Sequence, residues 1–351
     1  MNRSIWAWVR VLGGVGILAV LLWRLGTGAF LDGLRVIDVG TLGAAFAIGV
    51  ATTVLSAWRW CLVARGLGLR LSLRSATADY YKALFVNAAL PGGVLGDVDR
   101  AVQHGRDSGD IGRGVRAVVL ERTAGQIVLI TVGLAVLLTV PSPVLTQVHE
   151  HGRTLAVAAA AVAGVAVLLI VAMGRLRRGA SRWARAARTA VGEIRTGLLA
   201  RRTWPAIVLA STAALAGHLA TFVVAARAAG SEASVLRLAP LMLLALLAMT
   251  LPVNIGGWGP REGVTAWAFG AAGLSATQGL TIAVVYGLFA FVAALPGLVV
   301  IAARLLARKR TKAVSARPAA IASRPAPVAV EIVAMRPAIA LPARELVGSS
   351  A

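Results

Sequence analysis

Six apolar segments of this chain approach or exceed the length that a helix needs to cross a lipid bilayer, about 20 residues. The segment 277–303 contains no charged residue, and only Arg116, Glu121 and Arg122 interrupt the segment 115–140. The predicted spans are 6–23, 40–63, 115–140, 154–173, 205–226 and 277–303. Charged residues make up 14% of the chain, well below the roughly 25% of soluble domains. We therefore predict an all-α polytopic membrane protein.

Two further apolar segments, 77–106 and 236–272, are interrupted by turn-forming residues. Leu-Pro-Gly-Gly occupies 90–93 in the first, and Leu-Pro at 251–252 precedes Gly-Gly at 256–257 in the second. Non-helical backbone at membrane depth is tolerated only where protein or water satisfies its polar groups. Each segment is therefore predicted to form a re-entrant helical hairpin, which enters and leaves the membrane on the same side.

The basic residues favour this topology. With a cytoplasmic N-terminus and two re-entrant hairpins, 28 of the 36 Lys and Arg residues fall on the cytoplasmic side and five fall in outer loops. Membrane proteins carry such an excess in their cytoplasmic loops. A full crossing by one hairpin would move the basic C-terminal tail to the outer side. We therefore expect both termini to be cytoplasmic, and the Ala- and Arg-rich composition points to a bacterial plasma membrane.

The spacing of these segments divides the membrane part into two matched halves, 1–140 and 154–305. The two Leu-Pro pairs lie 161 residues apart, the preceding spans start 165 apart, and the following spans start 162 apart. Each half has two spans, a hairpin and a third span, and three crossings invert the second half. This predicts two inverted repeats, which in transporters place a binding site near mid-membrane. Residues 306–351 are predicted to form a disordered, basic, Pro- and Ala-rich cytoplasmic tail.

Polar residues gather in the two hairpins and in the span after the first. The candidate residues for binding a lipid head group are Asn87, Gly92, Gly93, Asp97, Arg100, Glu121, Arg122, Asn254, Gly256, Gly257, Arg261 and Glu262. Asp97 and Arg100 can pair on one helix face, Arg261 and Glu262 form a second candidate pair, and Glu121 and Arg122 form a third. Gly92, Gly93 and Gly96 can let backbone N–H groups approach a phosphate. Charged groups at membrane depth must be paired or face water. Three alternatives remain open: structural ion pairs, a head-group site, or intramembrane catalysis.

Other classes of function are disfavoured. The net charge is +22, but the basic residues lie in loops and in the tail without interleaved aromatic residues, so nucleic acid is not a predicted partner. The nine arginines of 175–202 are predicted to face the anionic leaflet. The four histidines lack metal-ligand spacing, and no phosphate-binding P-loop is present, so neither a metal nor another cofactor is predicted.

Three motifs carry a family resemblance. The stretch YYKALFVNAALPGGVLGDVDR (80–100) resembles the N…LPG…GGD..R signature of the lysylphosphatidylglycerol synthase transmembrane region. VVLERTAG (118–125) is similar to that family's next element, and LPVNIGGWGPREG (251–263) to its P…GG.G.RE signature. The matching residues are Asn87, Gly93, Asp97 and Arg100 in the first motif, and Gly256, Gly257, Gly259, Arg261 and Glu262 in the second. The block GGVLGD is longer here than the family's GGD.

The resemblance covers about 1–305 and implies a flippase-like protein that moves aminoacylated or other lipids between leaflets. Because no synthase domain follows residue 305, lysyl transfer is not expected. We predict a membrane protein that moves or binds a phospholipid or a lipid-linked glycan. The alternatives are a non-catalytic tether for a cytoplasmic lipid- or glycosyl-transferase, and an intramembrane lipid-phosphate enzyme. Such enzymes use clustered glutamates, whereas Glu121 and Glu262 are isolated in the sequence.

Overall fold

The computed structural model describes residues 28–90, 93–150, 181–250 and 258–307, with a few isolated positions between 152 and 175. Contacts divide the chain into two units, Met1–Ala303 and Arg304–Ala351, and the fold described below is that of the first. The regular elements in the described residues are α-helices: α1 (Gly28–Arg35), α2 (Val39–Gly66), α3 (Leu73–Ala89), α4 (Leu95–Asp107), α5 (Ile111–Thr139), α6 (Pro143–Glu150), α7 (Arg182–Gly197), α8 (Trp204–Ala228), α9 (Val235–Ala248), α10 (Pro260–Ala271) and α11 (Ala276–Ala294). After a turn at Leu295, helix resumes at Pro296.

Four helical segments are long and apolar enough to cross a membrane: Val39–Gly66, Ile111–Thr139, Trp204–Ala228 and Ala276–Ala307. They confirm four of the predicted spans, and the chain is a multi-pass membrane protein. The predicted span 6–23 lies outside the described residues, as does the tail beyond residue 307. The predicted span 154–173 also lies outside them, apart from three single positions.

Seven of the described helices begin where an Asp or Ser side chain accepts a hydrogen bond from a backbone N–H group of the first turn. At the start of α2, Asp38 Oδ1 accepts from the N–H groups of Gly40 and Thr41 at 2.7 and 3.0 Å. The bonds from Thr41 hold the pKa of Asp38 below its ordinary value. The other capping residues are Ser72, Asp110, Ser142, Ser181, Ser234 and Ser275. Each cap satisfies donors that lack an intrahelical partner.

Small residues allow the spans to pack closely. A Cβ atom added at Gly217 of α8 would lie 2.2 Å from the Cγ2 atom of Thr52 in α2. One added at Gly49 of α2 would lie 2.5 Å from the Cβ atom of Ala293 in α11. Small residues at such crossings are typical of membrane helices, where van der Waals packing replaces the hydrophobic effect as the attraction between helices.

Helices α3 and α4 form an antiparallel helical hairpin. Lys82 forms an ion pair with Asp99 at 2.5 Å, and Asn87 donates from Nδ2 to Asp97 Oδ2 at 3.0 Å. The backbones touch at Gly96, where an added Cβ would lie 2.2 Å from the carbonyl oxygen of Ala83. The Gly96 N–H donates to Asn87 Oδ1 at 2.7 Å. The side-chain amide oxygen of Asn87 therefore occupies this N–H, which is not free to bind another acceptor.

Helices α9 and α10 form a second packed pair, and residues 251–257 between them lie outside the described residues. The start of α9 contacts the end of α10, where Arg237 Nη2 donates to the carbonyl oxygen of Ala272 at 2.9 Å. The pair packs on α8 and α11 in the largest hydrophobic cluster, which contains Phe222, Leu241, Met242, Phe269 and Phe289. Close contact also joins the last span to the first hairpin, because a Cβ added at Gly297 would lie 2.2 Å from the Tyr81 carbonyl oxygen.

We expect Gly96→Ala to destabilise the protein, because its methyl group would collide with the α3 backbone. Overpacking of this kind costs about 1–3 kcal/mol, which exceeds the gain of about 1 kcal/mol in helix propensity. Gly43→Ala is the matched control, since an added Cβ there meets nothing within 4 Å. Thermal unfolding in detergent should show a lower midpoint for Gly96→Ala only. Equal midpoints for the two variants would contradict the close packing of α3 on α4.

Candidate functional site

A fully buried carboxylate joins the first hairpin to two spans. Glu121 of α5 is 0% exposed and accepts through Oε1 from Arg59 Nε of α2 at 3.0 Å. Its Oε2 accepts from Arg100 Nη2 of α4, also at 3.0 Å. The hydroxyl of Tyr80 in α3 donates to Oε1 at 3.3 Å. A buried charge is stable only when it is paired and hydrogen-bonded. Glu121 and its partners therefore stabilise one another.

The guanidinium group of Arg100 lies between two aromatic rings. Its Cζ atom is 4.6 Å from the ring centroid of Trp60 and 4.3 Å from that of Tyr80. Arg100 is 2% exposed, and the ring of His104 stands edge-on to Trp60 at a centroid distance of 5.2 Å. Arginine over an aromatic face is attracted by the ring quadrupole, most strongly where water is excluded. The stacking fixes the orientation of the hairpin arginine.

The predicted pair of Asp97 and Arg100 is confirmed, with Arg100 Nη2 2.9 Å from Asp97 Oδ1. Asp97 also forms an ion pair with Arg122 through Oδ2, the oxygen that accepts from Asn87. Glu121 and Arg122 do not pair with each other as a third set. Successive residues of a helix point about 100° apart, so Glu121 faces Arg59 and Arg100 whereas Arg122 faces Asp97.

The second hairpin places an arginine and a glutamate in a similar setting. Arg261 Nε donates to Glu262 Oε1 at 2.9 Å, which confirms the predicted pair, and the Gly259 N–H donates to Glu262 Oε2 at 2.7 Å. The Arg261 guanidinium lies 5.2 Å from the ring centroids of both Trp258 and Tyr286. Both residues of the pair are buried. Each hairpin thus carries a buried arginine that pairs with a carboxylate and contacts two aromatic rings.

A polar cavity of about 330 Å³ lies between α2, α3, α5, α8, α9 and α11. Arg59 and Arg122 supply its positive charge. Arg59 Nη1 donates to Ser211 Oγ at 3.2 Å, and the hydroxyl of Tyr286 contacts His218 Nδ1 at 3.2 Å. The remaining polar lining consists of Thr52, Thr53, Ser56, Tyr80, Gln126 and Thr250. The cavity therefore combines guanidinium groups, which are suitable partners for an anion, with neutral hydroxyl groups.

An apolar groove of about 660 Å³ runs between α4 and α5. Its walls are mainly valine and isoleucine side chains, and Gly93 and Asp97 lie at its polar end. Several of these apolar side chains are exposed on the protein surface, among them Val98, Val119 and Ile127. Arg122, Gln126, Met249 and Thr250 line both the groove and the polar cavity, which therefore adjoin.

The structure brings together Asn87, Asp97, Arg100, Glu121 and Arg122 of the predicted site. Four other predicted residues, Gly92, Asn254, Gly256 and Gly257, lie outside the described residues. The sequence interpretation missed Arg59, which lies near the end of the predicted span 40–63 and is not among the candidate residues. Arg59 is buried within α2, between Trp58 and Trp60. A signal was available, because a charged residue flanked by tryptophans at the edge of an apolar run requires a partner.

The positions of the acidic side chains are also relevant to catalysis and to metal binding. Within the part of the chain that the structure describes, no group of three or more His, Cys, Asp or Glu side chains is placed to hold a metal ion. Glu121 pairs with Arg59 and Arg100, and Glu262 pairs with Arg261. In the described residues, these carboxylates therefore orient arginine side chains.

Removing the charge of Glu121 should strongly destabilise the protein, because buried Arg59 would lose the carboxylate it pairs with and buried Arg100 would lose one of its two. Breaking a buried ion pair in this way costs about 3–5 kcal/mol. We expect Glu121→Gln to lower the unfolding midpoint in detergent far more than Asp99→Asn, whose side chain is half exposed and whose pair with Lys82 contributes about 1 kcal/mol or less. Similar midpoints for the two variants would show that Glu121 does not hold the cluster together.

The chain was compared with known proteins and protein families. A search of curated proteins found no significant match. The family model described as "Lysylphosphatidylglycerol synthase TM region" matches residues 7–297, which include both hairpins and the four described spans up to Gly297. The chain therefore belongs to the lysylphosphatidylglycerol synthase transmembrane-region family.

Proposed function

We propose that this protein is a flippase-like lipid translocase, which binds a phospholipid or a lipid-linked glycan by its head group and moves it between leaflets. The observation that carries the proposal is the junction of the polar cavity with the apolar groove at Arg122, Gln126, Met249 and Thr250. A membrane lipid has the same two-part chemistry. Its head group matches the cavity, and an acyl chain matches the groove.

The charge balance of the site supports an anionic or zwitterionic head group. Arg59, Arg100 and Arg122 face two carboxylates, Asp97 and Glu121, which leaves an excess of one positive charge. Arginine binds phosphate oxygens in a planar, bidentate manner. Arg122 is the arginine that lines both compartments, so we assign the first phosphate contact to it.

We further propose that both helical hairpins are re-entrant and that the two halves are inverted repeats. Helices α3, α4, α9 and α10 have 17, 13, 14 and 12 residues, shorter than a full span of about 20. The similar setting of Arg100 and Arg261 supports the relation between the halves. The charge asymmetry of the loops supports cytoplasmic termini in a bacterial plasma membrane. The tether alternative depends on the tail beyond residue 307, which lies outside the described residues.

We expect Arg122→Gln to slow translocation at least tenfold while the protein remains folded. Losing one hydrogen bond to a charged group costs about 1.5–3 kcal/mol, and 1.4 kcal/mol corresponds to a factor of ten. Fluorescent phosphatidylglycerol in proteoliposomes, bleached from outside with dithionite, reports the rate. Arg113→Gln is the control, because Arg113 is exposed at the start of α5 and lines neither the cavity nor the groove. Equal rates for both variants would argue against a phosphate contact at Arg122.

Bulk placed in the groove should also slow translocation. Ile127→Trp fills the groove between α4 and α5, whereas Leu209→Trp places the same ring on an exposed apolar face of α8 that lines neither compartment. We expect several-fold slower movement of the fluorescent lipid with Ile127→Trp and an unchanged rate with Leu209→Trp. If Ile127→Trp leaves the rate unchanged, the acyl chain does not use this groove.

A further inference from the structure

We infer that the head-group site, if it acts as proposed above, selects a phosphate that carries neutral hydroxyl groups, such as a phosphoglycerol or a sugar phosphate, and rejects a cationic aminoacyl head group. The inference deepens the proposed function by naming the chemical class of its ligand. It rests on the charges that line the cavity and on two polar atoms at the junction with the groove.

The described lining of the cavity contains Arg59 and Arg122 but neither an Asp nor a Glu side chain. An aminoacyl head group such as lysyl carries ammonium groups, which need carboxylates or aromatic faces to replace their water. The two tyrosines of the lining, Tyr80 and Tyr286, already contact the guanidinium groups of Arg100 and Arg261. The nearby carboxylates are already engaged. Glu121 is shared by Arg59 and Arg100, and Asp97 is shared by Arg100 and Arg122. A bound ammonium would therefore meet a surplus of positive charge.

The sequence also shows whether acidic residues outside the described positions of the membrane part could reach the cavity. The chain has 14 Asp and Glu residues, and those beyond residue 307 are Glu331 and Glu345. The other twelve all fall on described positions. The segments before residue 308 that the structure does not describe therefore contain no Asp or Glu that could complete the cavity. The cavity cannot gain an acidic side chain from 1–27 or from 251–257.

Two buried polar atoms at the junction point to the complementary ligand. The Nε atom of Arg122 and the Oε1 atom of Gln126 have no hydrogen-bond partner among the described residues. They lie one helical turn apart on the same face of α5. An unpaired buried polar group is costly, so each atom favours a ligand that pairs with it. Arg122 Nε donates, as a phosphate oxygen requires, and Gln126 Oε1 accepts, as a neighbouring hydroxyl requires.

The rest of the lining extends the hydroxyl recognition. Thr52, Thr53 and Ser211 donate their own protons to backbone carbonyl oxygens of their helices. Their hydroxyl oxygens keep acceptor capacity towards the cavity. Glycerol and sugar hydroxyls can donate to such oxygens without bringing in a charge. The cavity thus offers guanidinium groups to the phosphate and neutral acceptors to a polyhydroxyl group.

The test compares lipids that differ only in the head group. Purified protein in proteoliposomes would be given fluorescent phosphatidylglycerol and fluorescent lysyl-phosphatidylglycerol with the same acyl chains, and dithionite bleaching would give each translocation rate. A second readout is the rise in unfolding midpoint caused by the dioctanoyl form of each lipid in detergent. We expect phosphatidylglycerol to move at least tenfold faster than the lysyl lipid, and to give the larger rise in midpoint.

A charge change inside the cavity should alter this preference. Gln126→Glu keeps the shape of the side chain and adds the carboxylate that the cavity lacks. We expect this variant to reduce the preference for phosphatidylglycerol severalfold in both readouts. Gln278→Glu changes the charge of the whole chain equally, but Gln278 lies in the first turn of α11 and lines neither compartment. That variant should retain the wild-type preference.

The outcomes separate this inference from the proposed function. Equal or faster movement of the lysyl lipid would overturn the selectivity and leave the translocase standing. Binding of phosphatidylglycerol in preference to the lysyl lipid, without movement of either, would support the selectivity and overturn the translocase. If neither lipid binds nor moves, both proposals fall. An unchanged preference in Gln126→Glu would show that the head group is recognised elsewhere.

Discussion

The carboxylate of Glu121 is the interaction on which the rest of the site depends. It has no exposed surface, and it holds Arg59 of one span and Arg100 of the first hairpin on its two oxygens. In a medium of low dielectric, an isolated charge of either sign would be strongly disfavoured. The three side chains are therefore stable only as a set, and the set fixes the hairpin against the spans. Arg122, the neighbour of Glu121 on α5, is then placed on the adjacent face, between the cavity and the groove.

Each hairpin contains a buried arginine, and the two arginines are stabilised by different partners. Arg100 reaches a glutamate on another helix, whereas Arg261 uses the residue that follows it, and both guanidinium groups lie against aromatic rings. Aromatic faces stabilise a cation without competing for its hydrogen bonds. The N–H groups at the edge of each guanidinium therefore remain directed towards carboxylates, while aromatic rings shield its faces from lipid. The cluster at the first hairpin has a net positive charge because Arg122 of α5 joins it, whereas the Arg261–Glu262 pair of the second hairpin is neutral, so the two sites are not chemically equivalent.

Much of the fold could be predicted from the sequence, because span length and turn residues are local signals. Four spans and both breaks follow from apolar runs and from Leu-Pro pairs. The pairs Asp97–Arg100 and Arg261–Glu262 also follow from short spacing. The role of Arg59 does not, because its partner is 62 residues away and only tertiary packing brings them together. Nor could the sequence show that the Asn87 side chain accepts a hydrogen bond from the Gly96 N–H, because the packing of α3 on α4 brings the two together.

The last span has a mechanical consequence of its own. Its first part, α11, is tied to the second hairpin, because Gly279 and Gly287 pack directly on Phe269 and Arg261. After the turn at Leu295, the backbone at Gly297 rests on the first hairpin instead. The last span therefore contacts both hairpins, and after Leu295 its backbone rests directly on the first one. A displacement of either hairpin would have to break these contacts or shift the span with it, so the span couples the two hairpins through packing alone.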